Sequence, residues 1–90
     1  MPTVHLLIKG RVQGVFYRAT AKEKAIELKL TGWIRNTREN AVEAVASGTE
    51  VNIELFIDWC KKGPSNAVVK SVEITQVEDN LFDGFFIRRE

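Results

Sequence analysis

Residues 3–28 read TVHLLIKGRVQGVFYRATAKEKAIEL, and the period of the apolar side chains changes inside that stretch. Up to Val12 the pattern alternates. Val4, Leu6, Ile8 and Val12 share one face, with Thr3, His5, Lys9 and Arg11 on the other, which is the period of a half-buried strand. From residue 18 the alternation is lost, and Ala21, Ala25 and Leu28 recur at helical spacing among Lys22, Glu23, Lys24 and Glu27. That spacing predicts an amphipathic helix over residues 18–29. A strand, a turn bounded by Gly10 and Gly14, and a helix therefore open the chain.

Working outward, Gly32 opens a second strand, GWIRNTR, and the polar turn Arg38-Glu39-Asn40 leads into a third, AVEAVAS. Asn40 suits a turn position with positive φ, so the two strands form a hairpin. Thr49 caps a second helix by accepting from the backbone N–H of Asn52 or a near neighbour. Glu50, Glu54, Asp58 and Lys61 mark the wet face of that helix, Ile53, Phe56, Ile57 and Cys60 its buried face, and Gly63-Pro64 ends it. VVKSVEITQV reads as a fourth strand, and FFIRR as a short terminal fifth between Leu81 and Arg89. The order β-α-β-β-α-β, with one extra strand, interleaves two β-α-β crossovers. It predicts the split, ferredoxin-like α+β fold, with both helices on one face of an antiparallel sheet.

Composition limits the rest. Ninety residues, with 44% hydrophobic and 28% charged, make one small domain spanning 1–90. Thirteen basic against twelve acidic residues leave a net charge of +1, which removes the usual electrostatic reason to expect a nucleic acid or a membrane as partner. Any anion site must be local. The single Cys60 cannot form an internal disulfide, and with only His5 beside it the chain lacks the ligands of a structural zinc site. The apolar run near the N-terminus is too short for a signal peptide, so a cytoplasmic monomer is expected.

A right-handed first crossover makes the first two strands parallel, so their C-terminal ends share one edge of the domain. That edge receives the loop from Gly10 to Arg18, the positive end of the first helix, and Arg35-Asn36-Thr37. Asn36 has the parity of Ile34, and so looks towards the loop if Ile34 faces the helices. Gly14 permits positive φ and a close approach by a ligand. The N–H groups from Gln13 to Arg18 can then converge as an anion nest beside the helix N-terminus, with Arg18 adding a charged fork of donors. From these residues alone the alternative is a plain strand-to-helix turn. No Gly-Lys-Ser/Thr follows, so the loop is not a nucleoside triphosphate cradle.

GRVQGVFYR, followed about fifteen residues later by GWIRNT, closely resembles the acylphosphatase family, and the likeness extends to Gly63-Pro64 and to the F-x-I-R ending at Phe85 to Arg88. The resemblance implies a small ferredoxin-like enzyme, independent of metal and cofactor, that hydrolyses acyl phosphates to carboxylate and inorganic phosphate. It also implies that Arg18 is the catalytic, phosphate-binding arginine and that Asn36 orients the attacking water. The backbone of Gln13, Gly14, Val15, Phe16, Tyr17 and Arg18 corresponds to the family's phosphate loop. Three positions depart from the family pattern. Lys29 stands where a Gly commonly ends the first helix, Asn40 replaces a hairpin Gly, and Ala41 follows it; these bear on stability and not on the expected site.

Other conspicuous residues have plainer readings. His5 lies early on a strand, far from its C-terminal end, and reads as structural. Cys60 reads as a small core residue, Trp33 and Trp59 as packing aromatics, and Lys61-Lys62 as a solvated pair complementing a helix dipole. The competing functions are a non-catalytic ferredoxin-like module that binds a small anion or a protein, and an RNA-recognition domain. AVEAVAS has none of the aromatics that stack bases, which disfavours the RNA reading.

Overall fold

The computed structural model describes residues 1–80 and 82–89. Its elements are β1 (Thr3–Arg11), α1 (Tyr17–Glu27), β2 (Thr31–Asn36), β3 (Val42–Ser47), α2 (Glu50–Lys62), β4 (Val68–Val77) and β5 (Phe85–Ile87). The expected order of elements is therefore present, while the Leu81 end of the expected terminal strand lies outside the described residues. The strands form one sheet in the order β4-β1-β3-β2-β5. β1 pairs antiparallel with both β3 and β4, and β2 antiparallel with β3. β5 pairs parallel with β2, so the sheet, antiparallel over four strands, is mixed at its fifth. Alternation fixes which face a strand buries, not which way it runs.

One face of the sheet carries both helices and the core. Leu6, Ile8, Ile34, Ala44 and Ala46 are fully buried there, against Tyr17, Ala21 and Ala25 of α1 and Ile53, Phe56 and Cys60 of α2. Ala21 and Ala25 let α1 approach β2 and β5 closely, and each fully buried Leu or Ile contributes about 1.5–3 kcal/mol. The buried stripe of α1 starts one turn earlier than the sequence pattern indicates, at Tyr17, and Leu28 at the other end is only half-buried. Tyr17 stacks obliquely on Trp59 with ring centroids 5.4 Å apart, and its hydroxyl donates to the Cys60 carbonyl at 2.6 Å. Burial pushes that hydroxyl far above its ordinary pKa, and pushes the Cys60 thiol up to about 12. Cys60 is thus an inert core residue. No helix among the described residues is long and apolar enough to cross a membrane.

The element ends follow local chemistry. Thr49 caps α2, its hydroxyl accepting from Asn52 N–H at 3.3 Å. α1 ends in a Schellman motif, in which Leu30 N–H reaches Ala25 O at 2.8 Å and Lys29 N–H reaches Ile26 O at 2.9 Å. Lys29 takes φ 58°, and Asn40 in the hairpin takes φ 64°. Both are left-handed positions that glycine occupies without strain.

Candidate active site

Because β1 and β2 are each antiparallel to β3, they run the same way, and β5 runs with them. Three C-terminal strand ends thus meet at one edge of the sheet. β1 reaches that edge through a register shift between Lys9 and Gly10. A Cβ at Gly10 would sit 2.2 Å from the Val68 carbonyl oxygen, so glycine is needed where the shifted strand runs on beside β4 to Arg11 and then into the loop. Gly14, at φ 73°, has open space where a Cβ would be, so nothing blocks approach to its backbone.

The loop delivers the chain into α1 through Phe16, a left-handed N-cap at φ 63° with no side-chain hydrogen bond. The Phe16 carbonyl accepts from both the hydroxyl (2.8 Å) and the N–H (3.1 Å) of Thr20, which holds this strained residue in place. The two helix starts differ in a way that matters. α2 has the Thr49 cap and Glu50 in its first turn, whereas α1 has neither a capping side chain nor an acidic residue. Among the described residues, no backbone N–H from Gly14 to Phe16 donates a hydrogen bond. The first-turn N–H groups of α1 have no intrahelical partner by geometry. Successive donors without protein acceptors and the positive end of the helix dipole therefore make this end of α1 chemically suited to an anion.

Arg18 sits in that first turn and Asn36 ends β2. The two line the same cavity, of about 410 Å³, together with Val12, Gly14, Phe16, Tyr17, Ala19, Ile87 and Arg89. Ile34 is fully buried on the helix side, and Asn36, two residues on, shares that side. Its Oδ1 is buried with no hydrogen-bond partner among the described residues. Arg18 has no ion pair among them either, so no described carboxylate holds its guanidinium.

The other loop residues divide by what their side chains do. Val15 and Tyr17 are buried in the core, so only their backbone is available to a ligand. Gln13 donates through Nε2 to the carbonyls of Thr37 and Ala41. Phe16 is exposed at the cavity rim. Ile87 and Arg89 line the cavity although sequence reasoning did not select them. They arrive because parallel pairing sets Ile87 beside Ile34, and Arg88 N–H bonds the Ile34 carbonyl at 2.8 Å. The F-x-I-R ending was the sequence signal for Ile87, and Arg89 lies one residue beyond it.

His5 lies on the opposite, open face of the sheet, since it alternates with Val4 and Leu6. Its Nε2 meets Glu43 Oε2 at 2.6 Å, while Arg35 Nε donates to Glu43 Oε1 at 2.6 Å. Burial works against charge on Glu43, but the hydrogen bonds and charges of His5 and Arg35 prevail and hold its carboxyl below the ordinary range. This trio braces three strands and faces away from the cavity.

The fold and this cavity define a class: a ferredoxin-like α+β protein with a cavity at the C-terminal ends of its parallel strands. Comparison with known proteins agrees. The acylphosphatase family model matches residues 4–87. An acylphosphatase of Methylococcus capsulatus is 46% identical over 77 residues, covering 86% of this chain and 84% of that protein. Among solved structures, an acylphosphatase from Coxiella burnetii is similar with TM-score 0.93 and 36% identity, covering 97% of this chain and 92% of the other. The acylphosphatase from Bacillus subtilis has TM-score 0.94 and 29% identity, covering 98% and 99%. The chain belongs to the acylphosphatase family.

Proposed function

We propose that this protein hydrolyses acyl phosphates to a carboxylate and inorganic phosphate, with the phosphoryl group held by the Gln13–Arg18 backbone and the Arg18 guanidinium, and the water oriented by Asn36. The observation that carries these roles is the meeting of an arginine without an ion pair among the described residues, an uncapped helix start and a buried carboxamide oxygen around one cavity. A fork of guanidinium donors and a row of backbone N–H groups match the phosphoryl oxygens. The Asn36 oxygen accepts from a water and so fixes the direction of its lone pair towards phosphorus.

The water oxygen forms a bond to phosphorus as the bond from phosphorus to the bridging oxygen breaks, and the electron pair leaves with the carboxylate. A carboxylate is a good leaving group, so no general acid is required. Asn36 is neutral and cannot take a proton; the water's proton passes to a non-bridging phosphoryl oxygen, giving one carboxylate and one dihydrogen phosphate from the dianionic substrate. Positioning of water and phosphate can contribute up to roughly 7–11 kcal/mol, and preorganised donors meet the charge that develops on the phosphoryl oxygens.

This reading takes residues 1–90 as one domain, a cytoplasmic monomer that works without metal or cofactor on a small-molecule substrate. A non-catalytic anion-binding module has less support, because it leaves the buried Asn36 oxygen without a use. The test is to incubate the protein with acetyl or benzoyl phosphate in the presence of a chelator. Stoichiometric carboxylate and phosphate are expected, from a species that sediments as a monomer; no release from either substrate would overturn the proposal.

A further inference from the structure

Gln13 makes two hydrogen bonds to a single neighbouring turn. Its Nε2 lies 2.9 Å from the Thr37 carbonyl oxygen and 2.8 Å from that of Ala41, so both hydrogens of the carboxamide are engaged. The acceptors belong to the turn that follows Asn36, which is itself closed by Thr37 N–H to Ala41 O at 2.9 Å and Ala41 N–H to Thr37 Oγ1 at 3.1 Å. We infer that Gln13 is a positioning residue, a clamp that fixes the loop carrying Arg18 against the strand end carrying Asn36; the inference rests on the functional reading above.

The two functional segments are otherwise joined in sequence only through the whole of α1. Packing of that helix sets their separation coarsely, while a bidentate tie beside the cavity sets it locally. A misplacement of about 1 Å can cost about a hundredfold in rate. The phosphate donors of residues 13–18 are the backbone N–H groups and the Arg18 guanidinium; they are local to the loop, do not use the Gln13 side chain and do not need the tie. Loss of the clamp should therefore slow turnover while leaving phosphate binding nearly intact.

The experiment is a double-mutant cycle with Gln13→Met, which keeps the side chain's length and removes its donors, and Asn36→Ala. With benzoyl phosphate, Gln13→Met should lower kcat by about tenfold to a hundredfold in the wild-type background and by less than about twofold in Asn36→Ala. The inhibition constant of inorganic phosphate should stay within about threefold. Equal losses in both backgrounds, or weakened phosphate inhibition with unchanged kcat, would overturn the clamp and leave the function standing. An inert wild type would overturn both. A measurement on the unaltered protein guards against a variant that does not fold: the Gln13 side-chain amide protons should exchange with solvent at least about tenfold more slowly than those of the exposed Gln76. Equal rates would refute the clamp.

Discussion

Asn36 holds its carboxamide oxygen at the wall of the cavity, with no hydrogen-bond partner among the described residues, where a water can meet it. Among the described residues no hydrogen bond of the fold uses that oxygen, so its removal breaks none. Asn36→Ala is accordingly expected to melt no lower than wild type in a calorimetric scan while losing turnover; a lower melting temperature would mean that the amide is structural. Arg18→Lys keeps the charge but not the planar fork, and kcat/KM for acetyl phosphate should fall by about tenfold or more. Wild-type kinetics in that variant would remove Arg18 from its role. His5, turned to the open face and engaged by Glu43, has no path to the cavity. His5→Gln should keep both kcat/KM and the shape of its pH profile, and a large loss would reopen general-base catalysis.

At the scale of elements, two features adjust stability without touching the site. Lys29 closes the Schellman motif of α1 in a left-handed conformation, and the backbone hydrogen bonds around it need only a residue that accepts positive φ. Lys29→Gly should therefore stabilise the fold by about 1 kcal/mol, read as a raised urea midpoint with an unchanged slope; a lowered midpoint would show that the lysine side chain matters more than its backbone. The second feature is the brace of His5, Glu43 and Arg35 across β1, β3 and β2. Glu43 has a folded pKa below its ordinary 4.5, so its contribution is complete above that value and is lost as pH falls through the lower, folded value. Glu43→Gln should be less stable than wild type at pH about 7, and the gap should narrow as the pH is lowered progressively below 4.5. A gap of constant size would show that charge is not what Glu43 contributes.

The whole molecule shows which relations a sequence carries openly. Strand β1, the two faces of α2, the Thr49 cap and the left-handed Asn40 are each written in a few neighbouring residues, whereas the left-handed Lys29 was signalled only by the glycine of the family pattern. The placement of Asn36 needed one further step, the parity it shares with Ile34. What could not be read locally depends on distant partners. The direction of β5 is set by its pairing with β2, and that direction alone brings Ile87 and Arg89 to the cavity. The Gln13 side chain finds its acceptors more than twenty residues away. Tyr17 stands beside the expected phosphate loop, yet its ring belongs to the core, and its spacing of four from Ala21 was the available sign. The resemblance in GRVQGVFYR and GWIRNT supplied residue roles; topology explains how those two segments come to share one cavity.

Phosphate release from benzoyl phosphate under chelation, measured for wild type and Asn36→Ala together with inhibition by inorganic phosphate, bears most directly on that convergence. The expected result is turnover by the wild type, a loss of about a hundredfold in kcat for the variant, and an inhibition constant nearly the same for both. An inactive wild type, or a variant equal to it in turnover, would contradict the account.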